Sequence, residues 1–186
     1  EVTGVYQFWD MELTANKSSH FNGMVEFWLL KNRRVYVNYA LNVRIPFRQA
    51  ADLIISEHER ARAEFGDKVR TVLEARHAAP GYSEFVKVQA GIRVVLQNIN
   101  NRSLYERAAS VSKNVDVGLV FFPVGWAAWK DMLYTQLRSY RGFPPDDVIA
   151  AFTLGLERFF PNRMGTRPRL PFTSIGNRRF LGIGGP

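Results

Sequence analysis

Hydrophobic and polar residues alternate with two different periods along this chain, and the change of period divides it. Over residues 4–13, Val5, Trp9, Met11 and Leu13 fall on one side while Asp10 and Glu12 fall on the other, which predicts a half-buried strand. A polar loop over residues 14–23 follows. Residues 24–30 and 35–44 then flank a four-residue link of hairpin length. In the second of these strands Val35, Val37, Tyr39, Leu41 and Val43 keep strict period two against Asn38, Asn42 and Arg44. Residues 1–45 are therefore expected to form a small antiparallel meander that packs through one face.

Pro46 ends that pattern, and helical spacing takes over. Ile54, His58, Ala61, Phe65, Val69 and Val72 recur at steps of three and four, which predicts one long helix over residues 47–78, weakened in the middle by Gly66. Pro80-Gly81 marks a turn. Ser83 is placed to cap a helix reaching residue 99, and Ser103 to cap a shorter one ending near residue 113. The apolar run over residues 115–124 reads as a strand from its β-branched content, and residues 126–140 read as a helix with Trp129, Met132, Leu133 and Leu137 inward. The expected class is α+β, with one body over residues 1–160, mainly helical from residue 46, and an extended arm over residues 161–186. No internal repeat interrupts this order.

Composition supports a folded body. The chain is 186 residues long with 46% hydrophobic and 13% aromatic residues, enough to bury a core. Cysteine is absent, which removes disulfides, thiolate nucleophiles and the usual zinc clusters together. No uncharged run reaches the length of an ordinary membrane span. The nearest, residues 117–129, carries Pro123 and is flanked by Asp116 and Lys130-Asp131, so it reads as a buried strand and turn or as an interfacial piece. Because the chain starts at Glu1 with no basic or apolar leader, it is expected to be a processed form or a fragment.

Charge changes the picture more. The formal net charge is +8, and Arg163, Arg167, Arg169, Arg178 and Arg179 supply +5 of it in a final stretch without Asp or Glu. Prolines hold that stretch extended while arginines and apolar residues alternate, a composition that gains order only on a partner. Arginine forks suit phosphate and carboxylate, so protein neighbours, lipid head groups and RNA are the candidate partners.

Motifs for catalysis are missing. Glu57-His58-Glu59 lacks the second histidine of a zinc protease, and His58 on an apolar stripe reads as a buried, hydrogen-bonded side chain. Neither a nucleophile elbow nor a phosphate-binding loop is present, and the glycines at 182, 184 and 185 precede no helix. Asp146-Asp147 follow a proline pair at a predicted helix start, where negative charge has an ordinary structural use. The chain is accordingly expected to be no enzyme, with no catalytic residue, metal site, cofactor or small-molecule substrate. An enzyme ranks last among the readings and would need a pocket gathering several titratable groups.

Residues 141–160, RGFPPDDVIAAFTLGLERFF, carry a local resemblance. Arg141, Phe143, Pro145, Val148, Ala151, Phe152, Gly155, Arg158, Phe159 and Phe160 stand without a gap where the matrix-side signature of mitochondrial ATP synthase subunit f has the same residue types. The stretch resembles that family over about 20 residues and departs from it afterwards, where the family places a transmembrane helix and this chain continues with Pro161 and the arm. The resemblance implies a noncatalytic subunit of a membrane sector in the mitochondrial inner membrane. The leading expectation is thus a structural accessory subunit of a large complex. Its contacts to other subunits would run through Arg141, Phe152, Gly155, Arg158, Phe159 and Phe160 and through the five arm arginines. An RNA-binding organellar ribosomal protein is the alternative, and a self-assembling coat protein a further one.

Overall fold

A computed structural model of the chain describes residues 1–11, 21–76, 78–99, 102–140 and 146–161. Among these, six strands and five helices follow in the order β1 (Val2–Asp10), β2 (Asn22–Leu30), β3 (Val35–Val43), α1 (Phe47–Phe65), β4 (Val69–Glu74), α2 (Ala79–Ala90), β5 (Val94–Gln97), α3 (Leu104–Asp116), β6 (Val120–Phe121), α4 (Ala128–Ser139) and α5 (Asp147–Phe159). They build one mixed sheet in the order β5-β4-β1-β2-β3-β6. The expected α+β class and its antiparallel meander are present: β1 pairs antiparallel with β2, and β2 with β3. Beyond the meander, β4 lies parallel to β1, β5 parallel to β4, and β6 parallel to β3.

Two of the three added strands were hidden by helical spacing. The helix expected to reach residue 78 stops at Phe65, because Gly66 takes φ 58 and its N–H closes on the Arg62 carbonyl. One 3-10 turn over Gly66–Lys68 leads into β4, whose Val69 and Val72 happen to continue the three-and-four spacing of α1. A parallel strand covered on both faces shows no alternation to distinguish it. Gly91, at φ 67, ends α2 in the same way and frees Val94 and Val95 for β5. Ser103 does cap α3, with a reciprocal capping box to Glu106. That helix runs on to Asp116 and leaves β6 only two residues of the apolar run.

Helices cover both faces of the sheet. Trp9, Met24, Leu41 and Leu73 pack towards α1 and α2, with Ile54, Tyr82 and Val86. Phe8, Val25, Phe27 and Val72 pack on the opposite face, with residues of α3, α4 and α5. The strict alternation of β3 is broken by a register shift opposite Glu26/Phe27. Val35 and Val37 therefore belong to the α5 side, while Leu41 belongs to the α1 side.

The helix expected to deliver an arm to a neighbour is instead central to this core. Every residue of α5 from Asp147 to Leu156 is buried. Its close approach is possible because Gly155 has no side chain: a Cβ there would stand 2.5 Å from Phe27 Cε2 and 3.0 Å from Phe8 Cδ2. Phe8, Phe27 and Phe159 meet edge to face, with ring centroids 5.6–5.7 Å apart. Among the described residues no helix is long and apolar enough to cross a membrane. Gly155→Ala is expected to cost about 1–3 kcal/mol by overpacking this contact, read as a lower urea midpoint at unchanged slope.

Candidate active site

The parallel pairing of β1 and β4 sets two carboxylates side by side. Trp9 pairs with Leu73, so the next residues, Asp10 and Glu74, close the two strands at the same end of the sheet. Both lie two residues beyond Phe8 and Val72, which places them on the α5 face. Paired strands run only about 4.8 Å apart, so the two side chains leave the sheet as near neighbours.

The start of α5 arrives at the same place, and glycine again permits it. Gly23 is the β2 partner of Asp10. A Cβ at Gly23 would stand 2.5 Å from the carbonyl carbon of Asp147 and 2.7 Å from the Val148 nitrogen. The missing side chain thus seats the first turn of α5 on the strand ends and brings Asp146 and Asp147 to Asp10. Asp146 makes no side-chain capping bond, so capping does not account for it. Asp147, 4% exposed, is buried in the first turn, where the helix dipole favours its charge.

Electrostatics record the convergence. Burial pushes the Asp10 carboxyl well above the usual carboxylate range, and the negative charges of Glu74, Asp147 and Asp146 push it further against the opposing pull of Arg76. Tyr140 is held neutral beside them, pushed up to about 12 by burial and then by the charge of Asp146.

Glu74, 5% exposed, is balanced by two arginines. Arg107 Nη1 of α3 donates to its Oε2 at 3.1 Å, and Arg76 Nε pairs with its Oε1 at 2.7 Å. Arg107 Nε also donates to Glu157 Oε2 of α5 at 2.9 Å, and Arg102 Nη2 holds the other Glu157 oxygen at 2.7 Å. This buried chain of charges ties β4, α3 and α5 together.

An all-oxygen set of crowded carboxylates has the chemistry to take a hard divalent cation, whose charge would relieve the repulsion on Asp10. As the side chains stand, no three His, Cys, Asp or Glu among the described residues are arranged to hold one. Both oxygens of Glu74 are engaged by arginines, Oε2 by Arg107 and Oε1 by Arg76.

Residues expected to bind partners are distributed differently. Phe152 and Gly155 are inside the core, Phe159 packs on Tyr6, Phe8 and Phe27, and Phe160 lies at the margin of the same cluster. Arg158 is exposed. Arg141 and the arm residues Arg163, Arg167, Arg169, Arg178 and Arg179 lie outside the described residues. His58 is half-buried, with Nδ1 2.9 Å from Thr71 Oγ1, on the α1 side of the sheet. Asp10 and Glu74 were not singled out from the sequence. The only available sign was a carboxylate closing each of two strands, and one of those strands had the spacing of a helix.

No protein-family model and no curated protein sequence matches the chain. Among solved structures, the human cytomegalovirus terminase nuclease domain is 12% identical, with 82% of each chain covered and a TM-score of 0.54. The yeast mitochondrial Holliday junction resolvase is 13% identical over 85% of this chain and 80% of its own, with a TM-score of 0.48. RuvC of Thermus thermophilus is 13% identical over 84% and 94%, with a TM-score of 0.44.

The first of these shows a shared fold, and it corrects the expectations drawn from residues 141–160. The stretch that resembled ATP synthase subunit f is a core helix of a sheet fold shared with a nuclease domain, which that family does not explain. The readings as a noncatalytic accessory subunit of the mitochondrial membrane sector, as a ribosomal protein and as a coat protein give way with it. So does the expectation that the chain is no enzyme, since the titratable cluster absent from sequence motifs is present in the fold.

The charge crowding has a consequence for stability. Because the folded chain holds the Asp10 proton more tightly than the unfolded chain, the contribution of Asp10 to stability falls as pH rises from the ordinary Asp value through the raised one. Asp10→Asn, which carries no charge, is expected to be more stable than wild type at neutral pH in the presence of chelator. The advantage should vanish below about pH 4, where Asp10 is protonated in both states. Urea unfolding of the two proteins across pH 3–8 checks the sign.

Proposed function

We propose that the chain is a nuclease that hydrolyses the phosphodiester backbone of nucleic acid at Asp10, Glu74 and Asp147, with Asp146 at the margin. The observation that carries this reading is the convergence of these carboxylates at the ends of β1 and β4 and the start of α5, where burial first and then the neighbouring charges hold the Asp10 carboxyl above its ordinary range. The fold shared with a terminase nuclease domain supports it.

The residues divide the work by how they are held. Asp10 must be ionised to serve, and a cation beside it would offset the burial and the neighbouring negative charges that raise its carboxyl. Glu74 is kept in register by β4 and by Arg107, and Asp147 by the seat that Gly23 leaves for α5. A divalent cation bound there would stabilise charge on the phosphate and lower the pKa of an attacking water. Water adds to phosphorus, one P–O ester bond breaks, and the departing oxygen takes up a proton. The net charge of +8 suits a polyanionic substrate. We assign the five arm arginines to contacts with its backbone.

Incubation of the full chain with Mg²⁺ or Mn²⁺ and labelled linear duplex, four-way junction and single-stranded substrates tests the reaction. Wild type is expected to cleave at least one of them, and Asp10→Asn, Glu74→Gln and Asp147→Asn to lose about 100-fold or more of that rate. Undiminished cleavage by Asp10→Asn, or none by wild type on any substrate, would overturn the assignment.

A separate measurement addresses the arm. Changing Arg163, Arg167, Arg169, Arg178 and Arg179 together to Ala should weaken duplex binding and flatten its dependence on salt, by roughly 0.9 in log–log slope for each phosphate no longer neutralised. An unchanged slope would remove the arm from the interface.

A further inference from the structure

The two oxygens of Glu74 are held by arginines of very different kinds. Arg107, whose side chain is 1% exposed, holds Oε2 from inside the core and is tied in turn to Glu157. Withdrawing it would bury a guanidinium without partners and leave Glu74 and Glu157 with one outer arginine each, so it is a permanent partner. Arg76 holds Oε1 from outside, with a side chain 56% exposed. Released from Glu74, which is itself only 3% exposed, the Arg76 guanidinium would be solvated by water, so leaving costs it far less than it would cost Arg107.

Position makes the second arginine informative. It lies two residues beyond Glu74, in a tight turn whose Arg76 N–H donates to the Glu74 carbonyl at 2.7 Å. Its positive charge also pulls against the raising of Asp10. Its guanidinium therefore occupies, at the carboxylate cluster, the electrostatic part that a cation would play.

We propose that Arg76 is a displaceable counter-ion: a divalent cation entering the cluster releases it from Glu74 Oε1, and the freed guanidinium then binds the phosphate backbone of nucleic acid. Arg107 meanwhile keeps Oε2 and acts as a positioning residue. The inference rests on the nuclease reading of the same site. Arginine suits both roles, since its planar fork pairs with carboxylate or phosphate alike. Exchange of one for the other couples the two ligands, and the coupling is reciprocal: cation raises the affinity for nucleic acid, and nucleic acid raises the affinity for cation.

Calorimetric titration of the full chain with Mg²⁺, without nucleic acid, reads the first half. Removing the competitor in Arg76→Ala or Arg76→Gln should tighten Mg²⁺ by roughly two- to fivefold. Fluorescence anisotropy with duplex DNA across a salt series, with and without Ca²⁺, reads the second. In wild type Ca²⁺ should steepen the salt dependence by about one phosphate contact, and in both variants that increment should disappear.

Unchanged Mg²⁺ affinity together with an unchanged Ca²⁺-dependent increment in both variants would overturn the role of Arg76. Asp10→Asn separates that failure from a failure of the site. If wild-type Mg²⁺ uptake is weakened by Asp10→Asn while the Arg76 variants behave as wild type, the site stands and the exchange falls. If Mg²⁺ uptake is absent or indifferent to Asp10→Asn, both fall.

Discussion

Everything at the carboxylate end depends on how closely α5 lies on the sheet, and two glycines set that distance. At Gly155 the helix backbone is against the rings of Phe27 and Phe8, and at Gly23 the strand backbone is against the first turn of the helix. Any side chain at either position would need space that buried rings and backbone already fill. The first contact is one of packing and the second is one of placement. Together they fix both ends of a helix about 20 Å long, so Asp147 cannot drift from Asp10 without loosening the aromatic cluster at the other end.

Charge completes what packing begins. Arg107 lies between a strand end and a helix, bonded to Glu74 of β4 and Glu157 of α5. Burying a guanidinium is costly, and an ion pair of this kind contributes geometry more than net stability. Its use here is to hold β4, α3 and α5 in one register around the carboxylates. Gln97 Nε2 of β5 adds a bond to the Leu154 carbonyl, so the neighbouring strand is tied to α5 as well.

Legibility from sequence follows the physics of burial. The meander was readable because its three strands are antiparallel neighbours in chain order and because β3 shows some of the alternation a sheet face imposes, although β1 and β2 are largely buried on both faces. Even there, the register shift in β3 moved Leu41 to the face opposite Val35 and Val37, which no alternation count could reveal. β4 was misread because a strand buried on both faces loses its alternation, and Val69 and Val72 then fall by accident on the stripe of α1. The site was the least legible part. Asp10, Glu74 and Asp147 are 64 and 73 residues apart in turn, and only the parallel pairing of β1 with β4 and the seating of α5 make them neighbours. Asp146-Asp147 was noticed, but it looked complete as helix-start charge while its partners were unseen.

A second buried acid shows why the cluster at Asp10 is not simply a structural network. Glu26, fully buried under α1, accepts from Gln7 Nε2 at 3.0 Å, Asn38 Nδ2 at 2.8 Å and Arg60 Nη2 at 2.6 Å. Donors surround it, as the cost of burying a carboxylate requires. Asp10 is surrounded chiefly by other carboxylates, and the fold bears the repulsion. The same chain thus surrounds the buried Glu26 with donors on one face of the sheet and sets the partly buried Asp10 among carboxylates on the other. Unrelieved charge of this kind lowers stability, and it persists where a missing ligand supplies the compensation. The face with the crowded carboxylates is the one whose helix was brought close by two glycines, and that coincidence of packing and charge is what supports assigning the proposed site to the end of β1.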